Sequence, residues 1–140
     1  MIIKIQKIDS EAIIPNYANK DDAGLDFYSV EDVALKPMER KAIRTGVKME
    51  IPEGYVGLVW DKSGLAVNNG IKTMAGVVDS GYRGEIKIVL INLSNQDFEI
   101  KKGQKIAQML IQKIEHPEIE VVEELSGSVR GVNGFGSTGI

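Results

Sequence analysis

A chain of 140 residues with 43% hydrophobic and 26% charged side chains has the size and balance of one soluble domain with a buried core. It has no cysteine and a single histidine, His116, which excludes disulfide scaffolds, thiolate metal sites, cysteine nucleophiles and multi-histidine centres. The net charge of −3 argues against a general nucleic-acid or membrane-surface binder, so an anionic ligand must be met by a local basic cluster.

Met1-Ile2-Ile3-Lys4-Ile5-Gln6 is interrupted by lysine and has no long apolar run, so it reads as neither signal peptide nor membrane span and suggests a cytoplasmic protein. Without a secretory signal, Asn92-Leu93-Ser94 matches a glycosylation site by spelling alone. Ile3 and Ile5 alternate with Lys4 and Gln6, the period of a half-buried strand. Further strands are expected at Leu25–Ser29, Arg40–Arg44, Val47–Ile51, Tyr55–Trp60, Glu85–Ile91, Phe98–Ile100 and Glu118–Val122. Turn signals at Lys36-Pro37, Pro52-Glu53-Gly54, Asn68-Asn69-Gly70, Ser80-Gly81 and Lys102-Gly103 separate them. Lys105–Gln112 carries apolar residues at helical spacing, but it is short and set among strands, so a strand is expected there too. The pattern is that of an all-β sandwich or barrel.

Residues 127–140 differ, with five glycines, Ser137-Thr138, Arg130 and Phe135. Composition alone allows a frayed tail, whereas an arginine and an aromatic ring among glycines also suit a flap that closes over a ligand. The expected organisation is therefore a core over residues 1–126 and a flexible tail over 127–140.

Three short patches could carry chemistry. In Asp22-Ala23-Gly24-Leu25-Asp26 the carboxylates either satisfy turn donors or face a ligand. Asp61-Lys62-Ser63-Gly64-Leu65-Ala66 follows an apolar strand and is either an ordinary turn or an offer of a hydroxyl, backbone N–H groups and a positive charge to a phosphate, without Walker spacing. In Gly76-Val77-Val78-Asp79-Ser80-Gly81-Tyr82-Arg83-Gly84, Asp79 is either a turn cap or a base for a water, and Tyr82 either a packing ring or a sugar platform.

Two more segments, Gly103-Gln104-Lys105-Ile106-Ala107-Gln108 and Arg130-Gly131-Val132-Asn133-Gly134-Phe135-Gly136-Ser137-Thr138-Gly139, complete a set of five. Together and in this order they resemble the motifs of the homotrimeric dUTP diphosphatase (dUTPase) family, over most of the chain. The resemblance implies a jelly-roll-like all-β fold, a homotrimer with active sites at subunit interfaces, and hydrolysis of dUTP to dUMP and pyrophosphate. This activity limits uracil incorporation into DNA and supplies dUMP for dTTP synthesis. By match to the motifs, Asp79 activates the attacking water and Tyr82 lies against the deoxyribose. A hairpin through Thr73, Gly76, Val77 and Val78 reads uracil, with Lys87 also contacting substrate. Lys62, Ser63, Gly64 and Gln108 hold phosphates. Arg130, Ser137 and Thr138 grip the outer phosphates, Phe135 stacks on the base, and Gly136 also contacts substrate. The implied cofactor is Mg²⁺, held mainly by the triphosphate, with Asp26 near its water shell.

Two positions depart from the pattern. Lys62 stands where the family usually has arginine, keeping the charge but not the planar two-pronged contact. Gly81 stands where an acidic residue is common. A dCTP deaminase of the same fold is the nearest rival, and its turn resembles Asp79-Ser80-Gly81. Its proton-moving glutamate corresponds to Val89, which cannot transfer protons. A non-catalytic binding trimer would be expected to lose Asp79, Tyr82, Arg130 or Phe135, and all four are present.

Overall fold

The computed structural model describes residues 1–134. In chain order the strands are β1 Lys4–Lys7, β2 Leu25–Tyr28, β3 Val33–Leu35, β4 Arg40–Glu50 and β5 Tyr55–Trp60, followed by the helix α1 Ser63–Asn69. Then come β6 Ile71–Met74, β7 Val77–Asp79, β8 Glu85–Asn92, β9 Phe98–Ile100 and β10 Lys105–Lys113. One sheet has the order β1-β4-β8-β6, a second has β2-β10-β5-β7, and β3 pairs with β9 in a small third sheet. Every pairing is antiparallel.

The sheets face one another across a core that alternation along the strands dictates. On β8, Ile86, Ile88 and Leu90 point inward while Lys87 points out. On β4, Ile43, Val47 and Met49 do the same, and Phe27 of β2 with Ile106 and Met109 of β10 fill the other side. The helical spacing of Lys105–Gln112 loses to this pairing: β10 lies between β2 and β5, and both its edges are used.

The structure departs from the sequence expectations at several elements. Arg40–Arg44 and Val47–Ile51 are not two strands but one, with an irregular register between Arg44 and Lys48. Gly46 sits in that irregularity at φ +68°, where a β-carbon would lie 2.8 Å from Asp9 Cβ and 2.9 Å from Ala12 Cβ. Glu118–Val122 is not a strand; it has no pairing partner among the described residues and leaves Ile119 and Val121 exposed. The three-residue β3 and the seven-residue α1 were not expected, because neither is long enough to show a period. No helix among the described residues is long and apolar enough to cross a membrane.

A buried amide closes one end of the core. Asn92 is fully buried; its Nδ2 donates to the Leu35 carbonyl at 2.9 Å and the Gln96 carbonyl at 2.7 Å. Its Oδ1 accepts from the backbone N–H and the hydroxyl of Ser94 at 2.9 and 2.8 Å. Replacing it leaves the buried Leu35 carbonyl without this donor and opens a cavity where the amide stood. We expect Asn92→Ala to lower unfolding free energy by about 2–4 kcal/mol in urea titration.

Candidate active site

The chain leaves β6 through Ala75 and Gly76 and changes sheets. Ala75 has φ +52°, and the Gly76 carbonyl accepts the Val59 N–H at 2.7 Å, an approach that puts a β-carbon on Gly76 only 2.8 Å from Val59 O. β6 stays with β8 (Met74 opposite Val89), while β7 joins β5 (Val77 opposite Leu58, Asp79 opposite Val56). Thr73–Val78 is therefore a corner between sheets and not the expected paired hairpin. Beyond it, the free edge of β7 and that of Glu85–Ile88 splay apart, with no backbone bond across the gap among the described residues. The result is a cleft of about 400 Å³ lined by Ala75, Val77, Val78 and Asp79 on one side and Glu85, Ile86, Lys87 and Val89 on the other.

Asp79 and Tyr82 stand at its mouth. The turn between them is closed by the Tyr82 N–H donating to the Asp79 carbonyl at 3.1 Å. The Tyr82 hydroxyl donates to the Glu85 carbonyl at 3.1 Å, which folds the ring over Gly84, where a β-carbon would strike that hydroxyl. Of the two cleft carboxylates, Glu85 is engaged: its Oε1 accepts the Gly46 N–H at 2.9 Å and lies 3.3 Å from the Arg44 Nε. Asp79 is exposed, and its carboxylate accepts no hydrogen bond from any described residue.

The expected phosphate ligands lie elsewhere. Asp26 is buried in β2 between two ammonium groups, Lys62 Nζ at 2.5 Å from Oδ1 and Lys105 Nζ at 2.7 Å from Oδ2. Burial pushes the Asp26 carboxyl up, but the bonds and charges of Lys105 and Lys62 outweigh it and hold the group below the usual carboxylate range. Ser63 and Gly64 open α1 and are exposed. Gln108 on β10 donates its side-chain amide to the Asp61 carbonyl at 2.9 Å. Thr73 is buried and bonded to Asp61, and the Arg130 Nε donates to the Asn133 carbonyl at 2.8 Å within an exposed turn. Phe135, Gly136, Ser137 and Thr138 lie outside the described residues. Asp79 lies opposite Val56 at one end of β5 and Lys62 follows the other end, so the two are separated by roughly 15–20 Å at ~3.3 Å per residue.

A family model described as dUTPase matches residues 10–139. The chain belongs to the dUTPase family. It is 52% identical to a deoxyuridine 5′-triphosphate nucleotidohydrolase of Clostridium kluyveri and 52% identical to one of Nautilia profundicola, covering 99% of each chain in both cases. It is also similar to a Staphylococcus bacteriophage 80alpha dUTPase solved with dUpNHpp, at 33% identity and a TM-score of 0.93 over 99% of both chains. A mutant dUTPase from phage phi11 of S. aureus, described for its coordination of a structural Mg(II) ion, matches at 29% identity and a TM-score of 0.85, covering 91% of this chain and 100% of that one.

This dUTPase-family chain has no group of three or more His, Asp or Glu side chains placed to hold a metal among its described residues. Its buried carboxylate, Asp26, is already paired with two lysines. The donor set fits a cation carried by a polyphosphate and not one caged by the protein alone. Lys105 and Asp61, which sequence reasoning assigns no role, make the ion pairs and hydrogen bonds around Asp26 and Thr73. Both act through partners far along the chain, and the only local signal was a charge beside an apolar strand.

The ion triad has a pH signature. A native carboxyl below its ordinary value contributes stability that is complete above about pH 5 and fades as pH falls below 3.8. Asp26→Asn should cost about 1–3 kcal/mol at pH 7, and its deficit relative to the parent should narrow below about pH 4 in thermal melts.

Proposed function

We propose that the chain is a dUTP diphosphatase that cleaves the α–β phosphoanhydride of dUTP from sites shared between copies of itself. The observation that carries this reading is the cleft between two unpaired strand edges, with a free carboxylate and a tyrosine at its mouth. A strand edge presents alternating N–H and C=O groups, and the O4, N3–H and O2 edge of uracil can pair with such a row. Cytosine reverses two of those groups, which leaves buried donors and acceptors unpaired. The Tyr82 ring gives the deoxyribose a flat wall that a 2′-hydroxyl would crowd.

In the reaction, a water gives its proton to Asp79 as its oxygen bonds to the α-phosphorus. The bond from that phosphorus to the bridging oxygen breaks, and its electron pair leaves with pyrophosphate. Val89, in the wall of the cleft, offers no proton carrier for deamination. Phosphoryl transfer is limited by positioning and charge neutralisation. Lys62, Ser63, Gly64 and Gln108 supply these to the phosphates, together with Arg130, Ser137 and Thr138, while Lys87 contacts substrate from the wall of the cleft. Phe135 covers the base from the tail, residues 127–140, where Gly136 also contacts substrate. Mg²⁺ held by the triphosphate, with Asp26 close to its water shell, would neutralise charge on the leaving group.

Asp79 and Lys62 lie at opposite ends of β5, which supports a site that a single chain does not complete. A neighbouring copy can complete it, and the family resemblance implies three copies. Exposed Ile119, Val121, Leu125 and Val129 in a segment without regular structure also support association, since a lone chain leaves them in water.

Pyrophosphate release from dUTP, UTP, dCTP and dTTP, measured in parallel, tests the reading. dUTP should be strongly preferred, and comparable turnover of UTP would contradict the role given to Tyr82. Asp79→Asn should fold and bind dUTP yet lose about 10²–10⁴-fold in kcat, the scale of base catalysis.

A further inference from the structure

We propose that Asp61 is a positioning residue that fixes the closed end of the base cleft and so sets its discrimination between uracil and cytosine. The inference rests on the reading of the cleft as a pyrimidine slot. A slot between splayed strands has its width set where they part, here at the corner between β6 and β7. Three bonds hold β6 at that point, and all end on one carboxylate. The Thr73 N–H and hydroxyl donate to Asp61 Oδ1 at 2.6 and 2.7 Å, and Lys72 Nζ lies 2.7 Å from Oδ2. Burial pushes the Asp61 carboxyl up, and these bonds more than offset it, holding it ionised. Asp61 follows the last residue of β5, the strand that carries β7 and whose Val59 N–H grips the Gly76 carbonyl. It thus ties together the elements on both sides of the corner. Its own carbonyl is held in turn by Gln108, so the anchor is braced against β10.

Asp61→Ala frees Thr73 and lets β6 shift against β5. A displacement of about 1 Å costs on the order of 10²-fold in a positioned reaction, so kcat/KM for dUTP should fall roughly 10- to 100-fold. The dUTP-to-dCTP ratio of kcat/KM should fall with it, by about tenfold or more, since cytosine is rejected by registration of backbone groups. Asp61→Asn, whose Oδ1 still accepts both Thr73 bonds, should stay within about fivefold of the parent. Lys72→Met removes only the half-exposed ion pair and should stay within about twofold. A purely structural Asp61 would lower the melting temperature and slow both substrates equally, leaving the ratio unchanged; that result overturns the proposal. If Asp61→Ala does not fold, Thr73→Val removes the hydroxyl bond alone, and it must lower the ratio in the same direction or the proposal fails. A parent protein that releases no pyrophosphate from dUTP would overturn the functional reading itself.

Discussion

A strand satisfies its backbone by pairing, and the segment after β6 cannot pair on both sides. The corner at Ala75-Gly76 sends β7 to β5 while β8 remains with β4 and β6, so two facing edges are left without strand partners. Unpaired N–H and C=O groups cost free energy away from water, and a third strand would remove the cost. The fold supplies no such strand among the described residues. It supplies instead a gap bounded by Val77, Val78 and Lys87, in which a planar heterocycle with donors and acceptors along its edge can take a strand's place. The rest of the site follows from this one gap: Tyr82 and Asp79 are what the chain places at its open end, and Val89 lies in its wall.

The charged groups are organised around the same strand. β5 ends at Trp60, and the next two side chains diverge, Asp61 to Thr73 and Lys72, Lys62 to Asp26. One junction therefore ties β5 to β6 and also carries a cation to the opposite side. Asp26 is held ionised between Lys62 and Lys105, so the three groups together carry one net positive charge at neutral pH. A lysine in place of the family's usual arginine suits this arrangement, since a single ammonium can turn from carboxylate to phosphate without a planar fork to satisfy.

Much of this was legible in the sequence. The short apolar segments Glu85–Ile91 and Tyr55–Trp60, set off by turn residues, read as strands that the structure contains, and Asp79 with Tyr82 stood out because both lie in one nine-residue segment. What stayed hidden depended on distant partners. Asp61 looked like an ordinary turn residue because Thr73 reaches it only after α1 has reversed the chain. Gly64, Asn68 and Asn69 are weak helix formers, which hid α1, and its Gly70 ends it in a left-handed turn at φ +66°. Glu118–Val122 alternates like a strand, yet alternation announces a face and not a partner; with none in reach among the described residues, the apolar side chains face solvent. Asn92, read only as a chance glycosylation spelling, turned out to be a buried hub because β3 and the turn after β8 converge on it.

The central claim is that Asp79 and Lys62 serve one nucleotide from two different copies. Subunit mixing tests it most directly: Asp79→Asn and Lys62→Met chains, each nearly inactive, are unfolded together, refolded and assayed on dUTP. If the site is shared, random assembly of equal amounts restores about a quarter of the parental sites, each pairing an intact Asp79 from one chain with an intact Lys62 from another. Activity no higher than the mean of the two separate variants would place both residues in a single chain's site and contradict the account.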